Sequence, residues 1–188
     1  GLFCAENLMA HEEREPDDTP GLTYSCGIHP WHTDEDSAEL QLEWINSRSG
    51  HGNVFAVGEA GFDKIKGAEP SLQKRIFSYQ AELAERLGKP LVIHCVKGWD
   101  ELFAAHSAVN PKHPWLIHGF RGSTELAEQL LRRNIYISFW FSFILKPESS
   151  ALVRFLPAGR IFLETDGSGE PIEGIYEKVA AALGLSTE

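Results

Sequence analysis

The sequence predicts an α/β fold in which parallel strands joined by helical crossovers curl into a barrel, and three observations carry that expectation. Short apolar runs of strand length alternate with helix-length amphipathic stretches through most of the chain. The runs are rich in valine, isoleucine and phenylalanine, without the polar alternation of a half-solvated sheet, as strands covered on both faces are. Several close on a histidine or a carboxylate, and the strand ends of a parallel barrel converge on one rim where chemistry gathers. The alternative, an open doubly wound sheet, would usually carry a glycine-rich phosphate turn after its first strand, and the chain has neither G-x-G-x-x-G nor a P-loop. No internal repeat or linker divides the chain, so residues 1–188 are expected to form one domain.

In chain order, Leu2 to Ala5 reads as a very short strand, and the acidic stretch from Glu12 to Asp18, ending at Pro20-Gly21, as a surface loop. Thr23 to Cys26 is a strand closed by Gly27-Ile-His-Pro-Trp-His32. Thr33-x-x-Asp36 has the form of a capping box for a helix to about Ser47, with Leu40 and Trp44 on its buried face. Val54 to Asp63 is a buried parallel strand that presents a carboxylate, Glu59, between Gly58 and Gly61. The clearest helix runs from Leu72 to Leu87, with Ser71 to cap it and Gly88 and Pro90 to stop it. Leu91 to His94 is a strand, Gly98 to His106 a short helix, and Trp115 to His118 a strand again. A helix capped by Ser123 reaches Arg133, Ile135 to Phe139 and Ile161 to Asp166 are strands, and Ile172 to Leu183 is helical.

Composition bounds the function. The chain has 188 residues, enough for a sizeable core. It falls short of the roughly 250 residues of a full eight-stranded α/β barrel, so an incomplete or distorted barrel is expected. Hydrophobic residues at 43% and charged residues at 23% describe an ordinary globular protein. A formal net charge of −10 argues against broad capture of nucleic-acid phosphate by surface charge, so a phosphate substrate would need local cations or a metal. No run approaches the ~20 apolar residues of a membrane span, and the N-terminal residues lack the layout of a signal peptide; a cytoplasmic protein without membrane partners is expected. Cys4, Cys26 and Cys95 are odd in number and never in C-x-x-C spacing, which excludes a disulfide framework or a structural zinc cluster.

Glu59, His94, His118 and Asp166 each close an apolar strand. Two imidazoles and two carboxylates are the ligand types of zinc, manganese or a similar divalent ion in a hydrolytic centre. A buried polar group needs a partner, which makes four such strand ends hard to assign to packing. Other candidates read more plainly. Phe139 to Phe143 is core or loop packing ahead of a base-stacking platform, Cys95 has no base partner to make it a nucleophile, and Arg121 is either a phosphate contact or a solvated charge.

Gly27-Ile-His-Pro, Gly58-Glu-Ala-Gly-Phe-Asp63, Val92-Ile-His94, His118-Gly-Phe-x-Gly-Ser123 and Glu164-Thr-Asp166 stand in an order and spacing that resembles the TatD-like metal-dependent hydrolases, over roughly Tyr24 to Gly184. The resemblance implies a distorted TIM-barrel fold of the amidohydrolase type. It also implies hydrolysis of a phosphodiester, such as a DNA end, with zinc, magnesium or manganese. Glu59 would bridge two metals, and His94 and His118 would complete one site. Asp166 would serve the other and take the proton of the attacking water, with His29 beside them for phosphate contact or proton transfer. Lys97 follows His94 where the family usually has an arginine and an acid, and offers phosphate a point charge. The family's opening His-x-His pair, which holds one metal, does not occur in this sequence, so one well-occupied metal per chain is expected. Two further expectations follow. One is the rival reading, a relative without chemistry that serves as a binding or scaffold protein. The other is a homo-oligomer formed through unpaired sheet edges if the barrel does not close.

Overall fold

Branched apolar residues supply strands that must be covered on both faces, and helices with one apolar stripe supply the cover. The computed structural model describes residues 4–144, 146–147, 149–169 and 171–186. They fall into two compact units, Gly1–Trp115 and Leu116–Glu188.

The first unit holds β1 (Cys4–Met9), β2 (Leu22–Gly27), β3 (Val54–Asp63) and β4 (Leu91–Val96), parallel and hydrogen-bonded in that order. Every residue of β3 except Phe55 is buried, as expected for a central parallel strand. A Cβ at Gly61 would lie 1.8 Å from the carbonyl oxygen of His94, so only glycine lets β3 pass this close to β4. Three helices cover the strands: α1 (Ala38–Arg48), α2 (Pro70–Leu87) and α3 (Trp99–Val109).

Helix α2 ends at Gly88 in the left-handed region, φ 68°, as its sequence predicts. Its buried face carries Leu72, Ile76, Phe77 and Leu83, and Phe77 packs against Phe62 and Trp115 at ring separations of 4.6 and 5.5 Å. Two buried glutamines interrupt that apolar face. Gln80 accepts a hydrogen bond from the backbone N–H of Ile28 at 2.8 Å and donates to its carbonyl at 3.1 Å. Gln73 does the same for Asp63, at 2.8 and 2.9 Å, and also donates to the carbonyl of Ala68.

The second unit takes β5 (Trp115–Phe120), β6 (Ile135–Phe139) and β7 (Ile161–Leu163) in that order, with β6 and β7 parallel. Ser123 caps α4 (Thr124–Arg132), its hydroxyl accepting from Leu126 N. Two short helices, α5 (Phe141–Ile144) and α6 (Ser149–Phe155), occupy a stretch for which the sequence predicts no element, and α7 (Ile172–Leu183) matches its predicted span.

Four expectations need correction. Leu2 and Phe3 lie outside the described residues, and the first strand continues well past Ala5 to Met9. The helix expected from Thr33 starts at Ala38 because Asp34 takes the turn, its carboxylate accepting from Ser37 N at 2.8 Å and the Ser37 hydroxyl at 2.7 Å. The stripe through Ala38, Leu42 and Ile45 faces inward, leaving Leu40 70% exposed and Trp44 only half-buried. Helix α2 opens with Pro70 in its first turn, not with Ser71 as cap. No helix among the described residues is long and apolar enough to cross a membrane.

Candidate metal centre

Three chemistry-bearing side chains meet in the first unit. Glu59 sits inside β3, which continues past it to Asp63; His94 is in β4; His29 lies two residues beyond β2. One ligand atom from each of the three lies within 4.8 Å of the others. Glu59 and His29 are only 6% and 7% exposed. Both histidine rings pack together, with centroids 4.5 Å apart. The amide of Asn7 on β1 donates to Glu59, and the hydroxyl of Ser25 on β2 donates in turn to Asn7. The carboxylate is thereby held by neighbouring strands.

The hydrogen bonds separate the two imidazoles by role. Trp31 N donates to His29 Nδ1 at 3.1 Å, so that nitrogen is an acceptor and the neutral ring carries its proton on Nε2, 3.8 Å from Glu59 Oε2. His94 Nε2 lies 3.1 Å from Asp63 Oδ2, which sets its proton on Nε2 and leaves Nδ1 as the basic nitrogen. His94 therefore has the tautomer of a ligand backed by a carboxylate, and His29 that of a proton donor.

Asp63 is the residue that sequence reasoning missed. It is 4% exposed and accepts from Trp31 Nε1 at 2.7 Å, Ile65 N at 2.8 Å and Lys66 N at 3.0 Å besides facing His94. Burial opposes its ionisation. The hydrogen bonds from Ile65 N, Trp31, His94 and Lys66 N together outweigh burial and hold its carboxyl below the usual range. The signal available was its place four residues after Glu59 in the same strand, the spacing of side chains that share a face.

The second unit repeats the device. His118 on β5 has Glu164 Oε1 at 3.6 Å from its Nδ1, and the same oxygen accepts from Gly119 N at 2.6 Å. Glu164 was read only as part of a motif. Strand β7 stops at Leu163, so Asp166, expected to close the strand, lies in the following turn, exposed and at φ 46°.

Of the remaining candidates, Lys97 and Arg121 fall in loops, and Phe139 and Cys95 in strands. Lys97 follows β4, exposed and at φ 56°. The guanidinium of Arg121 lies 4.4 Å from the centre of the Trp140 ring, so it is a stacked cation rather than a freely solvated one. Phe139 is buried and stacks on Phe143, in line with packing. Burial pushes the Cys95 thiol up to about 12, which removes it as a nucleophile at neutral pH.

Comparison with known proteins places this geometry among relatives. The model of a family described as TatD related DNase matches residues 7–173. A metal-dependent hydrolase of Bacillus subtilis is 31% identical over 144 residues, covering 72% of this chain and 56% of its own. A 3'-5' ssDNA/RNA exonuclease TatD of Erwinia billingiae is 32% identical, covering 78% and 58%. The chain thus spans less than two thirds of the length of these curated relatives. Among solved structures, a TatD homologue of Escherichia coli superposes with a TM-score of 0.71 at 24% identity, covering 88% of this chain and 70% of its own. A TatD-family hydrolase of Entamoeba histolytica gives 0.71 at 18%, covering 88% and 69%. These two likenesses show the fold, a TIM-barrel-like α/β architecture.

Proposed function

Because the chain belongs to the TatD-related DNase family, we propose that it hydrolyses phosphodiester bonds with a divalent cation, taking a DNA end or a related nucleic-acid strand as substrate. The observation that carries the reading is the buried group of His29, Glu59 and His94 with ligand atoms within 4.8 Å of one another. The donor set suits zinc or manganese, which take imidazole nitrogen and carboxylate oxygen. When bound, such an ion lowers the pKa of water and polarises a phosphoryl oxygen.

The chain's own residues do the rest. Glu59 and His94 hold the cation, Asp63 fixes the ring of His94, and His29 keeps a proton on Nε2 for the phosphate or the leaving oxygen. His118 and Asp166 are the further ligands that the motifs imply, Asp166 taking the proton of the attacking water. Lys97 and Arg121 supply cationic contacts to the strand, and residues 1–188 act as one hydrolase domain. The test is nucleotide release from single-stranded DNA in the presence of manganese or zinc. Release no greater than from a Glu59→Ala control would remove the hydrolase reading and leave a binding role.

Two expected results extend the proposal. Elemental analysis after loading and desalting should find about one equivalent of metal per chain, since the ligands that the motifs imply for it, two imidazoles and a carboxylate, amount to one catalytic site. Close to two equivalents would sink the one-site reading, and full retention by His118→Ala would remove that residue from the ligands. Among the described residues β1 stands at one end of the strand order, an edge on which a second copy of the chain can add a strand. A homo-oligomer is the expected species in light scattering, and a monomer at all concentrations would contradict it.

A further inference from the structure

Beside the buried group lies a surface that the proposed chemistry leaves unused. Trp31 is 38% exposed, yet its indole is not a loose surface ring. Its N–H is bonded to the buried Asp63 at 2.7 Å, and its ring meets His29 and His94 edge-on, at centroid separations of 4.8 and 5.2 Å. The ammonium of Lys66 lies 3.8 Å from the centre of the same ring. Next to Lys66, Ile65 is 67% exposed.

The loop that carries these residues is pinned to the indole's own segment. Asp63 accepts from Ile65 N and Lys66 N, and Ala68 N donates to the carbonyl of Pro30 at 2.9 Å. Gly67, at φ 111°, passes so close to that carbonyl that a Cβ would lie 2.3 Å from it. Single exposed apolar residues are ordinary on protein surfaces. A rigidly oriented indole edge-on to two site imidazoles, with a cation on its face, is a different arrangement. It offers a π-surface and a positive charge beside the reacting centre of a chain whose net charge is −10.

The geometry points to a nucleotide subsite: Trp31 stacks the base next to the scissile phosphate of a single strand, and Lys66 swings from the indole to a backbone phosphate. The inference rests on the hydrolase reading for its substrate class. Base–aromatic stacking tolerates any sequence because every base has a π-face, so the subsite predicts preference for bases over bare backbone and none among bases.

The test compares two labelled oligomers of equal charge, an oligothymidylate of about eight nucleotides and an all-abasic strand of the same length. Fluorescence anisotropy is measured on the full chain with chelator present, so that no cleavage occurs. The wild type should bind the thymidylate about tenfold more tightly than the abasic strand. Trp31→Ala should lose that difference, and Trp31→Phe, which keeps a ring in the same place, should keep most of it. Lys66→Gln, on an exposed side chain, should retain the base preference and reduce the slope of log affinity against log salt by about 0.7. An abasic penalty that is absent in the wild type, or undiminished in Trp31→Ala, would overturn the inference, as would failure to bind either strand. Nucleotide release with metal, measured separately, keeps the two readings apart. Release without base preference sinks the stacking alone, and base preference without release sinks the hydrolase alone.

Discussion

Glu59→Ala should lower nucleotide release about a thousandfold or more while leaving the fold intact. A bound cation contributes several kcal/mol of transition-state stabilisation, and each 1.36 kcal/mol is tenfold in rate. Glu59 is the carboxylate of the buried group, so its loss would remove the negative charge that, with His94, would hold the cation. Among its partners is the amide of Asn7, which can turn to other acceptors because Asn7 is exposed. Metal content and release should therefore fall together, with little change in the thermal transition. Release that persists at a tenth of wild type or more would show that Glu59 does not hold the cation.

Asp63→Asn should weaken metal binding by about ten- to a hundredfold, the usual effect of losing the carboxylate behind a ligating histidine. It should also destabilise the fold by about 1–3 kcal/mol, because donors now face donors. Oδ2 accepts from Trp31 and His94, and Oδ1 from two backbone N–H groups; a carboxamide can serve one pair and opposes the other. The sign of the acid dependence follows from the depressed carboxyl. Its stabilising contribution is fully present above the unfolded value of about 3.9 and is lost as pH falls through the lower folded value. Urea unfolding at descending pH should accordingly show the wild type losing its advantage over Asp63→Asn below about pH 4. An advantage that is unchanged into strong acid, or a variant with wild-type metal affinity, would contradict the role assigned to Asp63.

Much of the first unit was legible because its signals are local. The branched run from Val54 and the stop at Gly88 each depend on nearest neighbours in the chain, and both hold in the structure. Ser123 likewise caps α4 through a contact three residues away. What escaped depends on partners distant in sequence. Asp63 is defined by Trp31 and His94, each about thirty residues away, and Glu164 by His118 and Gly119 across a longer gap. Leu40 was misplaced because it lies about 200° round the helix from Leu42, and which of the two stripes packs inward is decided by the elements beneath the helix rather than by its own residues. Of the buried group, Glu59 and His94 were read as strand ends and His29 from the family resemblance, and the split between His29 and His94 needed the two ring hydrogen bonds.

The two buried glutamines of α2 bear on which insertions this chain can tolerate. Gln73 and Gln80 each clasp the backbone N–H and C=O of one residue, Asp63 and Ile28, the latter beside His29. They are seven residues apart, so at a rise of 1.5 Å per residue the two amides leave one face of the helix about 10 Å apart along its axis. One residue added between them would swing the second amide by about 100° and release its strand end, whereas one added beyond Gln80 would leave both clasps in place. Leucine would remove both partners of the peptide, and glutamate would lack the donor, so each position admits a side chain with one donor and one acceptor at that reach. Length variation that keeps both clasps is thereby confined to the ends of this helix, and the histidine turn and the aspartate are tied together twice, by the pairing of β2 with β3 and by the pitch of α2.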